Sequence, residues 1–303
     1  MRQSTIAANL VLRGRVLAAV RRFFALNAYL EVETPLRIPA PAPESHIDAQ
    51  PSGDWWLQTS PELCMKRLLC AGYERIFQIC KAFRQNERGA RHLPEMTLLE
   101  WYTTEQDYDH MMEQCRELII SLFRELEIGE PFVYQGRAIA IDAPWKRLGV
   151  AQAFERYGSI SMAQALAEDR FDEVMGLEIE PRLGWRVPVV LCDYPMACGA
   201  LARRKPGHPD IAERFELYIG GVELCNGFSE LTDPAEQRRR FEKELAYRHA
   251  AGKASYPLPE PFLLELASMP RATGNALGLD RLVMLLADSV QIDEVVAFTP
   301  QEL

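Results

Sequence analysis

Three Arg and one His are crowded into a single polar stretch, Phe83-Arg84-Gln85-Asn86-Glu87-Arg88-Gly89-Ala90-Arg91-His92-Leu93-Pro94-Glu95. Guanidinium groups offer planar forks of donors that match phosphate oxygens, so this stretch has the chemistry of a phosphate cup. In the segment that follows, period-two alternation puts Met96, Leu98, Glu100 and Tyr102 on one face and Thr97, Leu99 and Trp101 on the other. A carboxylate beside a phenol suits an ammonium group. A second acidic stretch, Gly220 to Glu230, brings Glu223 and Glu230, and paired carboxylates near phosphates are what Mg²⁺ needs. These two are seven residues apart and would lie on opposite faces of a regular strand. Joint coordination therefore requires a bulge, with Gly227 as the candidate. Finally, Gly274-Asn275-Ala276-Leu277-Gly278-Leu279-Asp280-Arg281 lets backbone approach a ligand closely and then presents Arg281 early in a helix.

Other chemistries drop out. His46, His92, His110, His208 and His249 and the seven Cys show no metal-ligand spacing, and neither a GxSxG nor a Walker sequence occurs. The cysteines form no CxxC pair and their count is odd, which predicts a reducing, cytoplasmic setting and mostly core positions. With 34 Lys plus Arg against 43 Asp plus Glu, the net charge of -9 disfavours a wide grip on nucleic acid. No apolar run approaches the ~20 residues needed to span a bilayer. At 303 residues and 48% hydrophobic, the chain can bury a large core.

The elements that must position these groups follow from periodicity. Ile6, Leu10, Leu17, Val20 and Phe24 predict an amphipathic helix over 5–28, leading into a strand over 29–35 that Pro35 ends. Four prolines between 37 and 53 make a long loop, followed by a strand over 55–59 and, from Pro61, a short helix to about 70. Strands over 75–84 and 95–103 flank the Arg-rich loop, Met111 to Leu126 marks a helix, and 130–183 reads as an insertion with helical pieces. Strands over 187–194, 213–219 and 222–230, a charged helix over 234–250 and a glycine-bearing strand feeding a helix at 279–287 complete the chain. Such an order suggests an α+β fold with a mostly antiparallel sheet.

Taken in order, the helix-strand-Pro35 unit, the Phe83-Arg84 loop and strand, and the Gly278-Leu279-Asp280-Arg281 helix resemble motifs 1, 2 and 3 of class II aminoacyl-tRNA synthetases. Thr59-Ser60-Pro61-Glu62, Arg91 to Glu95, Leu99 to Tyr102 and Asn226 to Leu231 narrow this to the lysyl-tRNA synthetase catalytic domain. The first-motif helix starts within ten residues of Met1, so the resemblance implies one catalytic domain over 1–303 without an anticodon-binding OB domain. It is thus similar to the elongation factor P (R)-β-lysine ligase family, whose Glu-Leu-x-Asn-Gly-Phe-x-Glu-Leu-Thr-Asp stretch is matched by Glu223 to Asp233. Ala276, where lysyl-tRNA synthetases usually have glycine, points the same way.

The resemblance implies a class II synthetase fold, a mixed, mostly antiparallel sheet flanked by helices. It also implies a homodimer and a two-step reaction: (R)-β-lysine or lysine attacks ATP to form an adenylate, and a lysine ε-amine of elongation factor P displaces AMP. Arg84 would hold the α-phosphate and Arg281 the γ-phosphate. Glu223 and Glu230 would carry Mg²⁺. Ser60, Pro61, Glu62, Glu100, Tyr102, Asn226, Glu230 and Ala276 would surround the amino acid. Gln85, Asn86, His92, Leu93, Met96, Leu224 and Gly278 would line the ATP site with Arg84, Glu223 and Arg281. Stable tRNA binding is not expected. Asn86, Leu93 and Met96 depart from the family's usual glutamate, asparagine and phenylalanine, which predicts weakened ATP binding rather than its loss.

Overall fold

Helix α1 (Ala7–Leu26) presses Val16, Ala19, Val20, Phe23 and Phe24 inward, at the helical spacing the sequence shows. These side chains meet a sheet that the structure, a computed structural model describing residues 1–303, forms from nine strands. In chain order the strands are β1 (Leu30–Glu31), β2 (Arg75–Phe83), β3 (Glu95–Thr104), β4 (Lys146–Gly149), β5 (Val189–Pro195), β6 (Arg204–Lys205), β7 (His208–Ile219), β8 (Val222–Ser229) and β9 (Ala272–Gly278). They lie side by side as β1-β2-β3-β9-β8-β7-β5-β4, with β6 paired to β7. Only the outer pairs β1–β2 and β5–β4 are parallel. The expected mixed, mostly antiparallel sheet of an α+β fold is present.

Alternation along β3 sets which face does what. Leu99 and Trp101 join α1 in the main core, together with helix α2 (Tyr108–Glu125) and helix α3 (Leu279–Leu286). Asp107 caps α2 by accepting from the backbone N–H groups of Asp109 and His110. With this face covered, the other face of β3, β9 and β8 is left to enclose a cavity.

One expectation is corrected and another is made specific. The strand over 29–35 pairs only at Leu30–Glu31. The insertion near 130–183 is not helical from its start. It opens with a hairpin, Phe132–Tyr134 against Arg137–Ile139, whose turn residues Gln135 and Gly136 both take positive φ (50° and 71°), the backbone of a tight hairpin. Strand β4 follows, and only from Val150 do helices pack against the sheet edge, in a cluster of 14 buried residues that includes Leu148, Val189, Leu191, Tyr194 and Tyr218 of the strands. Gln-Gly is a weak turn signal beside Asn-Gly, so the hairpin is hard to read from sequence.

The proline-rich loop is held by one buried cation. Arg248 is 0% exposed and donates to the carbonyls of Glu44 (2.8 Å) and Ile47 (2.9 Å), to Asp48 Oδ1 (2.8 Å) and to the Tyr256 hydroxyl (2.8 Å). A buried guanidinium is tolerated because its donors are satisfied. Arg248→Ala is expected to cost about 3–5 kcal/mol in denaturant unfolding and to open residues 39–51 to proteolysis. An unchanged unfolding midpoint would show that the loop holds itself.

Candidate active site

The open face of the sheet, closed over by the Arg-rich loop, by residues 198–202 and by Glu44 and Ile47 of the proline-rich loop, encloses a cavity of about 650 Å³. Met96, Leu98, Glu100 and Tyr102 all line it, as the alternation predicts. Its two ends carry opposite charge.

At one end carboxylates collect. Ser60 sits just before the helix Glu62–Cys70, where its hydroxyl donates to Glu100 Oε1 (2.6 Å) and accepts from the Glu62 N–H (3.0 Å). The Tyr102 hydroxyl donates to Glu100 Oε2 (3.1 Å). Burial and then Glu62 push Glu100 up to about 8, against the Ser60 and Tyr102 hydrogen bonds. Lys66, one helical turn beyond Glu62, is 1% exposed and ion-paired to both Glu62 and Glu230 (2.6 Å to the latter). Burial also raises Glu230, with Lys66 pulling it down. Gly274 makes this crowding feasible. A Cβ there would lie 2.3 Å from the Tyr102 ring and 2.6 Å from Glu230 Oε1.

At the other end guanidiniums collect. Arg281 Nη1 donates to Glu223 Oε2 (2.9 Å) and to the Glu223 carbonyl (3.1 Å), and Nη2 lies 2.6 Å from His92 Nε2. Burial and the Arg281 charge push His92 down to about 4, so its ring is neutral and Nε2 accepts from Arg281. Arg84 faces the cavity with only loose ties, to Glu87 (3.8 Å) and to the Thr59 carbonyl (3.5 Å). Gly278 borders the cavity, and a Cβ there would meet only the Arg281 side chain, at 3.7 Å.

The required bulge exists but not at Gly227. Leu217 pairs with Cys225 and Tyr218 with Glu223, so the extra residue in β8 is Leu224. Gly227 instead accommodates the Phe215 ring, which a Cβ would meet at 2.7 Å. The bulge does not bring Glu223 and Glu230 together. Glu230 belongs to the carboxylate end with Lys66, and Glu223 to the guanidinium end with Arg281. The carboxylate that does share a neighbourhood with Glu223 is Glu216, placed on the same face by its register with Asn226. Glu216 accepts from Arg214 (2.7 Å), Tyr194 (2.5 Å) and Tyr218 (2.6 Å), and is raised by burial with Glu223 adding to the effect and Arg214 opposing it. Glu180, from the insertion, is raised to about 7 by burial and then by Glu223 and Glu216.

Ser60, Glu62, Glu100, Tyr102, Asn226 and Ala276 all border the cavity, as do Asn86, His92, Met96 and Glu223. Leu93 and Leu224 border it while belonging to the main core. Pro61 does not line it and serves to start the helix. Gln85 is exposed and outside the lining, its N–H donating to the Asp48 carbonyl (2.7 Å). Sequence reasoning missed Glu44, Lys66, Arg214 and Glu216. A signal for Glu216 was present, since Glu216, Glu223 and Glu230 recur every seven residues.

The sheet-borne cavity thus gathers carboxylates at one end and guanidiniums at the other. The family described as tRNA synthetases class II (D, K and N) matches residues 1–302, and the chain belongs to that family, as an amino-acid ligase. It is 38% identical to the elongation factor P--(R)-beta-lysine ligase of Erwinia tasmaniensis, across 98% of this chain and 96% of the relative. The corresponding ligase of Edwardsiella ictaluri is 36% identical over the same shares. The lysine--tRNA ligase of Magnetococcus marinus is also 36% identical, across 94% of this chain, but the match spans only 62% of that relative's length. No helix is long and apolar enough to cross a membrane.

Proposed function

We propose that this protein is an ATP-dependent ligase that activates (R)-β-lysine, or lysine, as an adenylate and transfers it to a lysine ε-amine of elongation factor P. The observation that carries the reading is the polarity of one cavity: Glu62 and Glu100 at one end, with buried Glu230 close by, suit a diamine, and Arg84 and Arg281 at the other suit a triphosphate. The match along 96% of two elongation factor P ligases supports the acceptor. So does Ala276, whose methyl lies between Asn226 and Glu100 in the sheet where a glycine would leave more room.

In this mechanism Glu100 and Glu230 orient the two ammonium groups, leaving the substrate carboxylate directed at the α-phosphate beside Arg84. Arg84 and Arg281 spread the charge that develops as the phosphoryl bond breaks. Neutral His92 steers Arg281 without competing for anions. Glu216 and Glu223, which border one side of the cavity and of which Glu223 helps to raise Glu216, would hold Mg²⁺, which when bound neutralises phosphate charge. Glu230 is left to the amino acid. Met96 covers the adenine face and Asn86, at φ 65°, borders the same end.

Capture of an ammonium by Glu100 expels its proton below about pH 8. Affinity for the amino acid should therefore rise with pH by up to tenfold per unit and level off above about 8. Calorimetry in two buffers checks this, and a pH-independent affinity with no proton release would remove it. Exposed Leu26, Leu30, Leu36 and Trp55 support the homodimer, which sedimentation at micromolar concentration tests.

The deciding experiment is intact-mass spectrometry of elongation factor P after incubation with this protein, Mg²⁺-ATP and (R)-β-lysine, with α-lysine and no-ATP controls. One ATP-dependent lysyl increment is expected. The lysine--tRNA ligase relatives favour a second reading, an amino-acid-activating enzyme with tRNA as acceptor. Pyrophosphate exchange without the increment, together with charging of tRNA, would establish it.

A further inference from the structure

The second half-reaction has a need that the residues named so far do not meet. A lysine ε-amine is an ammonium at neutral pH and has no lone pair until it loses a proton. Each carboxylate around the cavity except one is already held. Glu62 pairs with Lys66, Glu100 accepts from Ser60 and Tyr102, and Glu216 accepts from Arg214 and two tyrosines. Glu223 pairs with Arg281, Glu87 with Arg84, and Asp280 with Arg13 and the Thr97 N–H. Glu44 lines the cavity yet makes no side-chain hydrogen bond and no ion pair. Its place is fixed through its backbone, whose carbonyl accepts from buried Arg248 (2.8 Å), so the carboxylate is free while the loop carrying it is not.

Its surroundings place it where the acyl group would join the nucleotide. The charges that act on Glu44 are those of Glu62 from the amino-acid end, Arg84 and Arg214 from the phosphate end, and Glu244 from the helix Pro234–Ala250 behind the loop. It approaches from the proline-rich loop that roofs the cavity, not from the sheet floor where the substrates lie.

We propose that Glu44 is the catalytic base that receives the proton of the incoming acceptor ammonium. This inference rests on the ligase reading above. The ammonium gives one proton to the Glu44 carboxylate, and the freed nitrogen lone pair forms a bond to the adenylate carbonyl carbon. The carbon–oxygen bond to the phosphate then breaks, AMP leaves with that electron pair, and the nitrogen's second proton passes to water. Burial and Glu62 raise Glu44 to about 7, which suits a group that must take a proton and return it at neutral pH.

The test compares two acceptors in the same reaction of full-length protein with Mg²⁺-ATP and (R)-β-lysine or lysine. Hydroxylamine is uncharged at neutral pH and traps the adenylate as a hydroxamate without a base. Nα-acetyl-lysine methylamide needs one. Glu44→Gln is expected to lower the ratio of amide to hydroxamate about 10²-fold, with Glu44→Asp recovering part of it. Unchanged thermal unfolding of Glu44→Gln confirms that the loop is intact. A ratio that stays level, whether both products fall together or neither falls, overturns the assignment. If wild-type protein yields neither product, the ligase reading fails and this inference fails with it.

Discussion

Arg281→Ala is expected to lower ATP–pyrophosphate exchange by about 10²–10³-fold, because the guanidinium stabilises charge that grows only as the phosphoryl bond breaks. The effect should fall chiefly on kcat, with a smaller rise in the KM for ATP. Arg281→Lys should recover little. A lysine ammonium is a point charge and cannot hold Glu223 and His92 on two edges of one planar fork, as Arg281 does at 2.9 and 2.6 Å. Steady-state exchange kinetics decide the matter. Near-normal kcat in Arg281→Ala would mean that Arg84 and Arg214 supply the positive field without it.

Glu230→Gln is expected to do two things at once. Activation of lysine should fall by about 10²–10³-fold, because truncating one partner of a buried charge pair costs about 2–5 kcal/mol. The substrate-free protein should also lose about 3–5 kcal/mol of stability, since Lys66, 1% exposed, would keep only Glu62 as a counter-charge. The double variant Lys66→Met/Glu230→Gln separates the two effects. It should regain much of the stability, because no unpaired ammonium remains, and regain none of the activation. Denaturant unfolding and exchange assays on the same three proteins check this. Stability and activation recovering together in the double variant would show that Glu230 acts only through Lys66.

The two predictions fall on residues whose legibility differed. Arg281 could be read directly, because a glycine-bearing strand feeding a helix is a local pattern and the helix start presents the side chain. Glu230 was visible as a residue but not by role. Its separation from Glu223 by seven positions leaves open which neighbours each one meets, and that depends on where the strand bulges. Leu224 gives no hint of a bulge, whereas Gly227 does. Yet Gly227 is needed to make room for Phe215 on the adjacent strand.

What the sequence by itself determined are the features written in local periods: the helix Ala7–Leu26, the strands that flank the Arg-rich loop, and the shared face of Met96, Leu98, Glu100 and Tyr102. The ordered motifs, each spanning a few neighbouring residues, were likewise enough to place the chain in its family. Tertiary structure alone decided which charges share a space. Lys66 reaches Glu230, Arg281 reaches Glu223 on strand β8, and Arg248 reaches back to fasten the loop that carries Glu44. Those pairings join residues as far apart as 204 positions along the chain. They exist because burying each charge requires a partner, and no period within a single helix or strand records which distant segment supplies it.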